Sequence, residues 1–145
     1  MPTLNSQQLR EFLTSGKHLM KLATLSRDGW PQVNPVWYHF DGEHYLVAGR
    51  TRASWVDNIR GSSRVSVCID TCDAPYTRVI VGGSAEIADD NWFGDWESWS
   101  IRYLGEQAGH RYYEETRNIP RVLVRIKPVK TTTWAGAGWH PRYTR

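Results

Sequence analysis

The residues best suited to chemistry stand together as Arg50, Thr51, Arg52 and Ser54, two guanidinium groups and two hydroxyls in one short stretch. Arginine presents a planar fork of N–H donors that meets a phosphate with two hydrogen bonds. The stretch falls where a strand hands over to a helix, and a helix start adds unpaired backbone N–H groups and the positive end of a dipole. The pattern predicts a cradle for a phosphate or similar anion. The blander account of the same residues is a capped helix with solvated arginines. Upstream, Gln32-Val33-Asn34-Pro35-Val36-Trp37-Tyr38 reads as a strand with proline in its middle. Proline cannot donate to a ladder, so this strand needs an edge, a bulge or a ligand beside it. A flat ring would suit that place.

Other chemistries fail on inspection. The chain contains no HExxH, no GxxxxGK[ST] and no CxxC. Gly136-Ala137-Gly138 is too short for a dinucleotide fingerprint and follows no strand-to-helix passage. Cys68 and Cys72 have no partners at zinc-finger spacing, so two reduced thiols and no metal site are expected. No serine sits on a GxSxG elbow, and the pairs Asp89-Asp90 and Glu114-Glu115 read as solvated faces.

The elements that must position the cradle follow from hydrophobic period and turn residues. Asn5 or Ser6 can cap a helix ending near Gly16, with Leu9, Phe12 and Leu13 on one face. Strands are expected over 19–25, 32–39 and 45–48, joined by Asp28-Gly29 and Asp41-Gly42 hairpin turns. A short helix follows over 53–60, buried through Trp55, Val56 and Ile59, then an alternating strand over 64–70. A long strand over 78–87 carries Gly82-Gly83, the mark of a bulge or a bend where a sheet curls. Trp92, Trp96, Trp99 and Tyr103 form a stripe on a helix expected over 91–103, facing the barrel or a second subunit. Another helix is expected over 107–116, and a last strand over 121–126, closed by Pro128. The fold class is thus mainly β (α+β), an antiparallel barrel of six strands with short peripheral helices.

A chain of 145 residues and 16.7 kDa, 40% hydrophobic and 23% charged, makes one globular domain over 1–145. The net charge of +3 comes without any block of like charges, which speaks against nucleic-acid binding. No apolar run long enough to span a bilayer and no secretory leader are seen, so a soluble cytoplasmic protein is expected, with no membrane partner. Eight Trp in so short a chain ask for an interface to cover some of them.

In order, Leu22-Ala23-Thr24-Leu25, the run from Asp28-Gly29-Trp30-Pro31 through Asn34-Pro35-Val36-Trp37 to Asp41-Gly42, Arg52-Ala53-Ser54-Trp55-Val56-Asp57-Asn58-Ile59-Arg60, Arg64-Val65 and Val81-Gly82-Gly83-Ser84-Ala85-Glu86 form a recognisable chain of pieces. The pattern resembles the pyridoxamine 5′-phosphate oxidase-like (FMN-binding split barrel) superfamily, and within it the flavin and deazaflavin-dependent oxidoreductases. The resemblance implies a six-stranded split β-barrel of Greek-key order, a homodimer, and a flavin-type cofactor, deazaflavin F-420 or FMN, in the groove between subunits. It places the ring along Val33, Asn34, Pro35, Val36 and Trp37. It places the cofactor phosphate at Arg50, Thr51, Arg52 and Ser54, with Asn58 supporting the helix. One departure stands out: many relatives carry a lysine three residues before the Asn, where this chain has Trp55.

The implied activity is hydride transfer from the reduced ring to a small conjugated or quinone-like acceptor, with the protein supplying position and exclusion of water. Trp37, His39, Trp134 and Trp139 are the candidate substrate pocket, and the 132–140 tail a candidate lid. No catalytic side chain is identified, although Tyr38, His39 or His140 could donate a proton. The alternative is a non-catalytic binding protein for flavin, haem or another planar anionic ligand, a reading that the absent lysine favours.

Overall fold

A computed structural model describes residues 3–136. Asn5 caps helix α1 (Ser6–Ser15) with a reciprocal box, its side chain accepting from Gln8 N–H and Gln8 reaching back to the Asn5 N–H. Strand β1 (Met20–Leu25) turns at Asp28-Gly29 into β2 (Pro31–Val36), and β3 (Tyr38–Phe40) turns at Asp41-Gly42 into β4 (Tyr45–Arg50). Helix α2 (Ser54–Gly61) leads to β5 (Arg64–Asp70) and the long β6 (Thr77–Trp92). Helices α3 (Trp96–Leu104) and α4 (Glu106–Thr116) precede the final strand β7 (Arg121–Ala135).

The seven strands form one antiparallel sheet in the order β2-β1-β5-β6-β7-β4-β3. Its two edge strands are consecutive in the chain and separated by Trp37 alone, so the sheet curls into a barrel whose seam is bridged by the chain rather than by a ladder. The single strand expected over 32–39 is therefore two, and the count is seven rather than six. Pro35 sits on β2, where an edge strand tolerates a missing donor. Inward alternation builds the core from Met20, Leu22, Val47, Val67, Val81 and Val124, none more than 1% exposed.

Pro128 does not end the last strand. Gly82 pairs with Lys130 and Gly83 with Pro128, leaving Val129 as the extra residue of a bulge, and β7 continues to Ala135 against Thr77–Val81. Residues 132–135 of the proposed lid are thus strand, and 137–140 lie outside the described residues. The aromatic helix begins at Trp96 rather than 91, because β6 runs on through Trp92. Gly109 lets α4 lie close on α3, since a Cβ there would come 2.5 Å from the Ile101 Cα. Among the described residues no helix is long and apolar enough to cross a membrane, both cysteines are free, and no cluster of metal-ligand side chains occurs.

Candidate functional site

Helix α2 plugs one end of the barrel. Trp55 and Val56 are buried over Gly49, where a Cβ would meet Trp55 Cζ2 at 2.4 Å and Val56 Cγ2 at 2.9 Å. Trp55 is core, which accounts for an aromatic residue at the position where a lysine was anticipated. The polar side of α2 is tied to the sheet by Asn58, which is 8% exposed and donates to Thr24 Oγ1 at 3.0 Å and Gln32 Oε1 at 3.1 Å. Gln32 Nε2 in turn donates to Ser54 Oγ at 2.7 Å and Asn34 Oδ1 at 2.8 Å. These contacts hold the first turn of α2 against β2. The N-cap residue, Ala53, has no side-chain acceptor for the first-turn N–H groups.

A cavity of about 390 Å³ opens where the end of β2, the end of β4 and the two later helices meet. Pro35, Val36 and Trp37 form one wall and Ala48, Gly49 and Arg50 another, with Ala53 and Trp55 at the start of α2. Trp96 of α3, Tyr112 of α4 and Arg121 of β7 complete it. The aromatics pack on each other: Trp37 stacks on Tyr103 and Trp96 at centroid distances of 5.0 and 5.1 Å, and Tyr112 meets Trp37 edge-on at 5.7 Å. Of the stripe expected on one helix, Trp96 and Tyr103 pack on Trp37 and Trp96 lines the cavity, whereas Trp92 belongs to β6.

Arg121 is 3% exposed. Its guanidinium lies 4.0 Å over the Trp96 ring and donates to the Ile119 carbonyl at 3.2 Å and Thr116 Oγ1 at 3.0 Å. Burial pulls its pKa below the ordinary arginine value, the Tyr112 oxygen beside it works the other way, and the Arg50 charge lowers it further. Among the described residues no carboxylate pairs with Arg50, Arg52 or Arg121, although Arg60, Arg125 and Lys21 each find one. The Trp96 indole N–H is likewise buried without a partner.

The structure brings Pro35, Val36, Trp37 and Arg50 together at the cavity. Ser54 and Asn58 stand in the polar network behind it, joined by Asn34. Val33, 62% exposed on β2, and Thr51 and Arg52, exposed in the turn before α2, do not line it. Among the described residues, Trp37, His39 and Trp134 of the candidate substrate pocket are not brought together. His39 lies beside Trp99 at 6.1 Å, while Trp134 stands at the far end of β7 from Arg121, under Arg78. Trp139 and His140 fall outside the described residues. Tyr38 is no proton donor to a ligand: its hydroxyl is buried, donates to the Leu13 carbonyl at 2.8 Å, and is pushed up to about 12 by burial. Sequence reasoning missed Gln32, Tyr112 and Arg121 as site residues. For Arg121 the available signal was its place before Val122, Val124 and Ile126, whose inward alternation turns it outward.

The sequence profile of the family described as pyridoxamine 5′-phosphate oxidase matches residues 6–135. Among solved structures, the chain is similar to an F-420 reductase, with 26% identity and a TM-score of 0.67 over 84% of this chain and 94% of that one. It is similar also to a conserved hypothetical protein from Mycobacterium tuberculosis, with 26% identity and a TM-score of 0.74 over 91% and 85% of the two chains. The haem storage protein HutZ from Vibrio cholerae shares the fold at 20% identity, with a TM-score of 0.62 over 89% of this chain and 92% of that one.

Proposed function

The chain belongs to the pyridoxamine 5′-phosphate oxidase family, and from that premise we propose that it is an oxidoreductase using a flavin-type cofactor, deazaflavin F-420 or FMN, to reduce a small conjugated or quinone-like acceptor. The observation that carries this reading is the aromatic cavity bounded by arginines without carboxylate partners. Its volume lies in the range of about 300–1,000 Å³ typical of small-molecule sites. A buried arginine without a carboxylate partner, an exposed one beside it and an orphaned indole N–H are what an anionic, hydrogen-bonding ligand satisfies. The likeness to an F-420 reductase over most of both chains supports the same class of cofactor.

Such a cofactor supplies a two-electron hydride donor when bound. The chain's own residues do the rest. Arg50 holds the phosphate beside the open start of α2, and Ser54 and Asn58 with Gln32 fix that helix against β2. The unpaired backbone groups of the β2 edge, from Val33 to Trp37, are free to read the ring's rim. Trp96 and Tyr112 roof the cavity and exclude water from it. A second copy of the chain covers the exposed apolar residues Trp30 and Val33 of the β1–β2 hairpin, 74% and 62% accessible in the single chain. A monomeric mass in light scattering would count against that part.

The test is fluorescence titration of the apo-protein with FMN and with F-420, followed by mixing the reduced complex with a quinone. Saturable binding of one cofactor and bleaching of its reduced spectrum are expected. Binding without bleaching would make the protein a carrier rather than an enzyme. Binding of neither would overturn the reading and bring another planar ligand forward. Among the described residues no His, Cys or Met lines the cavity, which leaves Tyr112 as the side chain there that could ligate a haem iron.

A further inference from the structure

We propose that Arg121 is the second cation of the anion cradle, gripping the cofactor phosphate together with Arg50 from the opposite strand; this rests on the cofactor reading above. The ladder between β4 and β7 sets Arg50 directly across from Arg121, with Gly49 across from Val122. Gly49 and Val122 are buried, facing the barrel interior, so the two arginines issue together on the outer face. Directly opposed side chains lie about 5 Å apart at Cβ, and like charges so placed repel. An arrangement of this kind is stabilised by an anion between the two groups.

Burial sharpens the point. Arg121 lies under the α3–α4 roof, and its contacts to the Ile119 carbonyl, Thr116 Oγ1 and the Tyr112 oxygen still leave donors of its five N–H groups unspent beside the cavity. A cation taken out of water without a carboxylate costs several kcal/mol unless an anion joins it. The Trp96 indole N–H, buried and unpartnered in the same lining, is a further donor waiting there. On the other side of the cradle, α2 contributes no charge at 55, because Trp55 is locked in the core over Gly49. The missing charge is supplied from β7, far away in sequence and adjacent in the sheet.

The experiment compares FMN with riboflavin, which lacks the phosphate, on wild type, Arg121→Met and Arg121→Lys, with F-420 and its phosphate-free deazaflavin alcohol as a parallel pair. Losing charge-assisted hydrogen bonds should cut the phosphate preference of Arg121→Met by about 10- to 100-fold with affinity for the phosphate-free form unchanged. Arg121→Lys, which keeps the charge and loses the fork, should fall between, and it decides the matter if Arg121→Met does not fold. Melting temperature in inorganic phosphate against chloride at equal ionic strength is the second readout, raised for wild type and not for Arg121→Met. A variant that melts lower but keeps the full FMN preference would make Arg121 a mere strut between α4 and β7, and the proposal fails. If no cofactor binds but phosphate stabilises wild type alone, the cradle stands and the cofactor reading falls. If neither cofactor nor phosphate acts on wild type, both fall.

Discussion

Arg102 of α3 is the residue whose removal tests how the roof is held. Helix α1 ends without a basic residue in its last turn, and its final carbonyls need partners. Arg102 supplies them from a distant helix, donating to the Gly16 carbonyl at 2.9 Å, the Leu13 carbonyl at 2.9 Å and the Tyr38 carbonyl of β3 at 2.8 Å. Its guanidinium also lies 4.9 Å and 5.1 Å over the Tyr38 and Tyr103 rings. Hydrogen bonds to a charged group are worth roughly 1.5–3 kcal/mol each in net stability, which sets a ceiling for three of them. One acceptor keeps another donor, since Tyr38 Oη reaches the Leu13 carbonyl at 2.8 Å, while the single Tyr103 hydroxyl proton goes to the His18 carbonyl at 2.9 Å. With Arg102 half-buried as well, the expected loss for Arg102→Met is about 3 kcal/mol, or about 6–12 °C in melting temperature for a domain of this size. Calorimetry measures it directly. A double-mutant cycle with Tyr38→Phe should show coupling above about 0.5 kcal/mol, because both side chains serve the Leu13 carbonyl. A melting temperature within about 2 °C of wild type, or strict additivity, would refute the claim that Arg102 caps α1 and anchors α3.

Three further outcomes follow from the same structure. Gly49→Ala places a methyl group 2.4 Å from Trp55 and should cost at least about 2 kcal/mol in urea unfolding, because the barrel plug must shift. Asn58→Ala leaves Thr24 and Gln32 without their common donor and should cost about 2 kcal/mol, with weaker cofactor binding through the loosened start of α2, both measurable on one titrated sample. Burial pushes Tyr38 and Tyr45 up to about 12 from 10, so each binds its proton more tightly folded than unfolded. Stability is then complete below pH 10 and lost as pH rises towards 12, by about 1.4 kcal/mol per phenol at pH 11, and Tyr38→Phe should remove one phenol's share of that loss in melting curves between pH 9 and 11.5.

Local signals made most of the fold legible. Asp28-Gly29 and Asp41-Gly42 marked both hairpins, the alternation of Val65, Val67 and Ile69 marked β5, and Gly82-Gly83 marked the bulge between the longest strands. The errors fell where non-local pairing overrides local chemistry. Pro128 reads as a stop in sequence, yet the bulge at Val129 absorbs it, and the sheet continues because β6 offers a partner as far as Thr77. Trp92 has the spacing of the helical stripe but pairs with Arg121 at the end of β6. For the site, the 50–54 stretch was visible because its members are neighbours in the chain. Arg121 was not, since only strand register places it opposite Arg50, and a single sequence carries no register. Trp134, read from the sequence as a stacking wall, is a strand residue laddered to Arg78.

Trp92 and Arg121 face each other across the ladder, so residues 93–120 leave the barrel and return to it at one point. Everything that covers the cavity hangs from that neck. A helical hairpin attached in this way is a cassette: it can be lengthened, shortened or exchanged without changing the register of any strand. Divergence in the cassette that spares Arg102, its tie to α1 and β3, would alter which molecules are admitted beside the proposed anion cradle while the barrel folds as before. Arg121, at the neck, belongs to both parts, so an anion seated there would tether the cassette to the barrel.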